Sequence, residues 1–311
     1  MSFLRTAASI VGTAALLGAL LALVLHFWPG VDRVTVAAAA VSPVLWSACT
    51  VTAVVCLLYA RALLRLVLAA ALAAAGIWVQ APLWRGEPAP TDPALTVLTA
   101  NIQVGAGDAE ALAKLVRDNH IDVLAVHEVT DEAAQRISAT TITIDLPHAL
   151  VRPAALANGT ALYSRHPLKN TGVVPGFVMT ALTAVATVPG RGDVQLFALH
   201  PMPPLDVGTW DSELGRIRAV LQGVPEGRPV VALGDYNATY DHVRFRNLLT
   251  GGYRDAGQLA GAGWLPTYPT DKTYPPVVGI DHILLRGLGA AAVTAHDVPG
   301  ADHLALLARV G

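Results

Sequence analysis

The chain has 311 residues, 53% of them hydrophobic and 14% charged, with a formal net charge of −2. That length allows one large domain or two small ones. Setting aside the five arginines, Asp32 and Glu87 that precede Pro88 leaves 16 basic against 21 acidic residues, a net of −5 that argues against broad electrostatic binding to nucleic acid.

The average conceals a division. Before Glu87 the only charged side chains are Arg5, Asp32, Arg33, Arg61, Arg65 and Arg85, and between them run three apolar stretches at 7–28, 35–60 and 66–84. A helix that crosses a bilayer needs about 20 apolar residues, and buried helices of a soluble core are rarely so long or so free of charge, so three transmembrane helices are expected. Phe27, Trp28, Trp78 and Trp84 stand near the ends of the stretches, as interfacial aromatic belts require. Arg5 precedes the first span and Arg61 and Arg65 fill the second turn, whereas Asp32 and Arg33 offset each other in the first. The positive-inside rule then puts the amino terminus in the cytoplasm and the carboxyl-terminal domain outside. A cleaved signal peptide competes for the first stretch, but no small-residue cleavage site follows Leu25, and the later spans would still deliver the domain outside. Ser42, Pro43 and Ser47 interrupt the second stretch, and the orientation depends on its crossing. Cys49 and Cys56 lie in it as packing residues, which leaves the rest of the chain without disulfides or thiolate metal ligands.

These readings divide the chain into a membrane domain, 1–87, and an extracytoplasmic domain, 88–311. Trp84 to Pro93, with Pro88, Pro90 and Pro93, reads as a short stiff linker. Beyond it, apolar runs repeatedly end in Asn, Glu, Asp or His: Leu95 to Asn101, Val123 to Glu128, Leu196 to His200, Val230 to Asp235 with Asn237, Ile280-Asp281-His282, and Ala301-Asp302-His303. Buried strands of α/β proteins present their chemistry at their carboxyl ends, so six such endings point to one metal-assisted hydrolytic site. Helices are expected after Asp108, which can cap one, over Gly208 to Gln222, and over Tyr240 to Leu249. Gly105-Ala106-Gly107 lacks the Lys and Ser/Thr of a phosphate loop and reads as a turn.

In order, Asn101, Glu128, His200, Asp235 with Asn237, Asp281 and Asp302-His303 resemble the motif series of the endonuclease/exonuclease/phosphatase superfamily over essentially all of 94–311. The resemblance implies a four-layer αββα sandwich of the α/β class and metal-dependent hydrolysis of phosphate esters with Mg²⁺ or Mn²⁺. Oxygen ligands suit such a hard cation, and Asn101, Glu128 and Asp302 are the metal candidates. Asp235 would orient or deprotonate the attacking water, and Asn237 would donate to a phosphate oxygen or support the metal. His303, paired with Asp281, would contact the phosphate, and His200 would serve as a second phosphate contact or proton donor to the leaving group. Asn158 and Arg165 fall in a segment that often lines the superfamily's substrate cleft. His127 stands where many relatives carry Gln and Ala301 where they often carry Ser, while His282 should point to the opposite sheet face.

Three spans before an external phosphoesterase resemble the actinobacterial VanJ-type membrane proteins linked to teicoplanin resistance, for which hydrolysis of a polyprenyl pyrophosphate carrier is the implied activity. The expected partners are therefore the bilayer and a membrane lipid phosphate, with no specific nucleic acid. Two segments, Pro201 to Trp210 and Trp264 to Pro276, could form an apolar rim beside the phosphate pocket. An anchored external nuclease and a non-catalytic binder of glycopeptide or cell-wall precursor are the alternatives.

Overall fold

The computed structural model describes residues 2–91 and 95–311, so Pro93 of the expected linker lies outside the described residues. The chain forms two compact units, Met1–Pro82 with Tyr240–Val243, and Leu83–Thr239 with Arg244–Gly311.

The first unit is built from α1 (Ser2–Phe27), α2 (Arg33–Ala40), α3 (Ser42–Ala60) and α4 (Leu63–Gln80). Three helical segments, Phe3–Phe27, Ser42–Ala60 and Leu63–Gln80, are long and apolar enough to cross a membrane. The second apolar stretch differs from expectation. It is two helices parted at Val41, because Pro43 in the first turn of α3 has no N–H with which to continue a preceding helix. The third ends at Gln80 rather than 84, with Pro82 and Trp84 in the separate short helix α5 (Pro82–Arg85). Asp32 caps α2, accepting from Val34 N and Thr35 N. Ala53, Leu57 and Ala69 form the buried centre of the unit, where small side chains let helices approach closely. Ile10, Leu17, Leu21, Val51, Val55, Leu68 and Ile77 point outward, an apolar surface that water disfavours and that a bilayer would cover.

In the second unit the chain first lays down β1 (Leu95–Asn101), α6 (Ala109–Asp118), β2 (Val123–His127), α7 (Asp131–Ser138), α8 (Ile142–Asp145), β3 (His148–Arg152) and β4 (Thr160–Ser164). It continues with β5 (Leu168–Val174), β6 (Ala181–Val188), β7 (Gly192–Leu199), α9 (Val207–Gln222) and β8 (Val230–Asp235). It closes with α10 (Val243–Arg246), β9 (Arg254–Asp255), α11 (Ala256–Ala260), β10 (Asp281–Arg286), β11 (Ala290–His296) and β12 (Ala305–Val310). Two six-stranded sheets result, ordered β11-β12-β1-β2-β4-β3 and β5-β6-β7-β8-β10-β9.

The sheets face each other across a core that includes Val97, Val123, Leu162 and Ala308 from one and Leu182, Leu196, Val231 and Ile283 from the other. On the outer face of the first sheet, Leu98, Ala100, Leu124 and Val126 pack with Leu112 and Val116 of α6 and Ile137 of α7. Strands buried on both faces read as continuous apolar runs rather than alternating ones, which is why β1, β2 and β8 are so uniformly apolar. Helix α9 buries Trp210, Leu214, Ile217 and Leu221, the helical spacing of an inward face. The expected αββα sandwich after three long apolar helices is the observed fold.

Asp108 caps α6 as expected, accepting from Glu110 N and Ala111 N. The helix expected over Tyr240 to Leu249 is reduced to the single turn of α10, and Tyr240–Val243 belong with the first unit instead. The start of the expected linker is docked: Gly263 N donates to Leu83 O and Glu87 N to Leu259 O, both at 2.8 Å, and Glu87 pairs with Arg254.

Candidate active site

Strand direction gathers the polar residues at one rim. Parallel β1 and β2 place Asn101 opposite His127, so Glu128 emerges beside Asn101. Parallel β7 and β8 pair Leu199 with Gly234, which sets His200 next to Asp235. A Cβ at Gly234 would lie 1.9 Å from Leu199 O, so only glycine permits this approach. Antiparallel β10 brings Asp281 directly opposite Asp235. Here the reading of uniform strand endings needs correction: Asp281 begins β10, and Asp302 and His303 precede β12. They reach the same rim because those strands run antiparallel to β8 and β1.

At the centre lies Asp235, fully buried. Its Oδ1 accepts from Asn237 N at 2.8 Å and its Oδ2 from Asn101 Nδ2 at 3.1 Å, with His200 Nε2 at 3.5 Å and His303 Nε2 at 3.7 Å. Asn101 Nδ2 also donates to Glu128 Oε1 at 3.0 Å, joining the half-buried Glu128 to the group, while Glu128 Oε2 accepts from Val104 N at 2.7 Å. Glu128 itself adopts φ of 64°, a left-handed conformation that is strained for a non-glycine residue. His303 Nδ1 meets Asp281 Oδ2 at 2.8 Å, and the Tyr268 ring packs on His303 with centroids 4.8 Å apart. Asn237 gives one amide N–H to Pro201 O and receives the Trp210 Nε1–H on its carbonyl.

The charges are set by these neighbours. Burial alone would lower the pKa of His303, but Asp281 and Asp235 overcome it and raise the imidazolium to about 10. Burial alone would raise Asp235, yet His303, His200 and the hydrogen bonds from Asn237 and Asn101 hold its carboxyl below the usual range. His127, entirely buried and near His200, is pushed down to about 3, chiefly by desolvation, and stays neutral. Burial raises Asp302, with Glu128 and Asp271 adding to the shift. Among the described residues, Asp281 Oδ1, His127 Nδ1 and His200 Nδ1 are buried without a hydrogen-bond partner, three unspent polar atoms at one rim.

Asn101, Glu128, His200, Asp235, Asn237, Asp281, Asp302 and His303 thus converge; Asp302 Oδ1 lies 4.0 Å from His303 Nε2. Asn158 sits at the same rim, two residues before Thr160, the partner of His127. Arg165 does not join them. It follows β4 at the opposite end of the sheet, its guanidinium bound to Asp122 Oδ1 at 3.0 Å and Ile121 O at 2.8 Å, so the expectation that it lines the cleft is corrected to a strand-end clasp. His282 faces away, fixed by Asp255 Oδ2 and Ala238 O. Trp210, expected in an apolar rim, is buried beneath Asn237. Tyr268 and Thr267, whose Oγ1 accepts from Ile280 N, lie within the segment Trp264 to Pro276 expected as a rim, but no apolar run leads into them to single them out.

One ligand atom each from Asp235, Asp281 and His303 lies within 4.8 Å of the others, so this buried group could hold a metal ion. A cation taken through His303 would have to displace the proton that the two carboxylates hold there. The unspent Oδ1 of Asp281, together with the carboxylates of Glu128 and Asp302 at the same rim, supplies hard oxygen donors, which fits a divalent cation.

Two facing sheets with acids, amides and histidines collected at one rim make a site suited to metal-assisted hydrolysis of phosphoesters. The Endonuclease/Exonuclease/phosphatase family model matches residues 98–303, and the chain belongs to that family. No curated protein matches it in sequence. Among solved structures it is similar to TDP2 of D. rerio complexed with a single-strand DNA product, at 17% identity and TM-score 0.59, covering 70% of this chain and 98% of that one. It is also similar to an endonuclease/exonuclease/phosphatase from Beutenbergia cavernae, at 22% identity and TM-score 0.55, covering 70% of this chain and 71% of that one. A humanized D. rerio TDP2 bearing 14 mutations aligns at 16% identity and TM-score 0.60, over 70% and 98%. Likeness at these identities concerns the fold.

Proposed function

We propose that the protein is a membrane-anchored, metal-dependent phosphoesterase that acts outside the cytoplasm on a lipid pyrophosphate such as undecaprenyl pyrophosphate, releasing phosphate and the lipid monophosphate. The observation that carries the reading is the presence, on one chain, of the buried Asp281–His303–Asp235 array and three helices of membrane-spanning length. The −5 balance of the domain and the resemblance to VanJ-type proteins support a lipid over a polynucleotide and a contribution to glycopeptide resistance. The arginines at 5, 61 and 65 support a cytoplasmic amino terminus.

Glu128, Asn101 and Asp302 would hold Mg²⁺ or Mn²⁺, which when bound neutralises phosphoryl charge and stabilises the leaving oxygen. Asp235, kept ionised by its neighbours, orients the water and takes its proton. His303, kept cationic by Asp281, donates from Nε2 to a phosphoryl oxygen where negative charge grows. His200, with Nε2 3.5 Å from Asp235 Oδ2, would serve as a second phosphate contact or as proton donor to the leaving oxygen. Asn237 keeps one amide N–H for the phosphate, and Asn158 lines the rim beside it.

The test offers polyprenyl pyrophosphate and DNA in parallel to the purified protein with Mg²⁺, beside Asp235→Ala and His303→Ala. Phosphate release from the lipid, lost in both variants, is expected. DNA cleavage without lipid turnover would replace the reading with an anchored nuclease, a substrate class consistent with the product named for the D. rerio TDP2 complex. Turnover of neither would leave a non-catalytic binder.

A further inference from the structure

Helix α9 carries a carboxylate that the chemistry above does not use. Glu213 is 3% exposed, yet among the described residues it pairs with no Lys or Arg; its Oε1 accepts from Val178 N and its Oε2 from Met202 N, both at 2.6 Å. These N–H groups belong to two different loops. Val178 lies between β5 and β6, and Met202 follows β7, two residues after His200. Both loops stand at the site rim, because β6 begins opposite the end of β7.

The same helix holds the neighbourhood at two further points. Trp210, one turn before Glu213, fixes the Asn237 carbonyl, and Pro201 beside Met202 accepts from the Asn237 side chain. Arg216 lies so close to the first loop that a Cβ at Gly176 would come within 2.7 Å of its guanidinium carbon. A buried carboxylate is costly unless its lone pairs are met by donors. Here each oxygen takes one backbone N–H from one loop, so the charge is stabilised only while both loops keep their places.

What the two loops present is apolar. Val178 is 56% exposed and Leu205, three residues past Met202, is 63% exposed. We propose that Glu213 is a positioning residue that sets the gap between these loops, and that the gap receives the hydrocarbon adjoining the phosphate of the substrate. The second half rests on the lipid reading above; the first does not. Gln at 213 offers one acceptor oxygen where two N–H groups need one each, so it frees one loop while keeping the volume.

The test uses the full chain in detergent micelles with Mg²⁺ and two substrates, a long-chain polyprenyl pyrophosphate and a small aryl phosphoester. Wild type is compared with Glu213→Gln and with the surface double variant Val178→Ser, Leu205→Ser. The ratio of kcat/KM for lipid over aryl ester is expected to fall about tenfold or more in both, through KM for the lipid. Mere loss of folded protein in Glu213→Gln would lower both substrates together and leave the ratio unchanged. An unchanged ratio in both variants overturns the proposal, and a fall in the surface variant alone removes Glu213 from it. If wild type cleaves the aryl ester but no lipid pyrophosphate, the lipid reading fails. KM for the aryl ester then decides the role of Glu213, a rise at constant kcat keeping it and no change ending it.

Discussion

Asp281→Asn separates the charge of the His303 pair from its geometry. Asn keeps an oxygen at the position from which Asp281 Oδ2 accepts the Nδ1–H, 2.8 Å away, so the ring can hold its orientation while its strongest favourable neighbour loses charge. Removing an opposite charge at this range lowers a pKa by about 1–3 units, roughly 1.4–4 kcal/mol of support for the imidazolium. His303 is raised above its ordinary value, so its contribution to stability is fully present below about pH 6.5. That contribution is lost as pH rises through the folded value of about 10. In the variant the loss is complete at a lower pH, so the slope of stability against pH across the alkaline range flattens. The assay is an NMR titration of the His303 ring in detergent-solubilised protein, followed by pH profiles of phosphoester hydrolysis. The alkaline limb should move down with the ring pKa, and kcat should fall by about 10²–10⁴. A ring that titrates as in wild type would refute the assignment of Asp281 as the source of the raised pKa.

Other outcomes follow from single contacts. Gly234→Ala forces a methyl to within 1.9 Å of Leu199 O and should destabilise the domain by about 1–3 kcal/mol, read from thermal unfolding; an unchanged midpoint would mean that β7 and β8 are not so close. His127→Gln removes a buried imidazole whose pKa is depressed to about 3, a group whose stabilisation is present above about pH 6.5 and lost as pH falls. The variant should resist acid better than wild type, by about 2 kcal/mol at pH 5, when each is referred to its own neutral stability. Arg165→Ala breaks a partly exposed pair with Asp122 at the far end of the sheet, so KM should not change and stability should drop by about 1 kcal/mol or less.

The strand-borne part of the site was legible because β1, β2, β7 and β8 are buried on both faces toward their carboxyl ends, so the Asn, Glu, Asp or His that follows each apolar stretch marks where the core stops. Asp281 and His303 were found by the same cue although one begins β10 and the other precedes β12, since burial pattern carries no direction; only pairing with β8 and β1 shows why they share the rim. Arg165 misled for a related reason: its segment does border the rim through Asn158, but a five-residue strand carries its other end away from it. The short α10 and the break at Val41 reflect local geometry and contacts that override helical periodicity. Glu213 was illegible because its partners are backbone N–H groups of distant loops, which leave no side-chain pattern to read.

The central claim is that the Asp235 and His303 array cleaves a lipid pyrophosphate at the membrane. The most direct measurement is phosphate release from a polyprenyl pyrophosphate by the full chain in micelles, with Mg²⁺ and after its removal by chelation. Metal-dependent release by wild type and none by Asp235→Ala is the expected result. Equal release by wild type and Asp235→Ala, or release unaffected by chelation, would contradict the account.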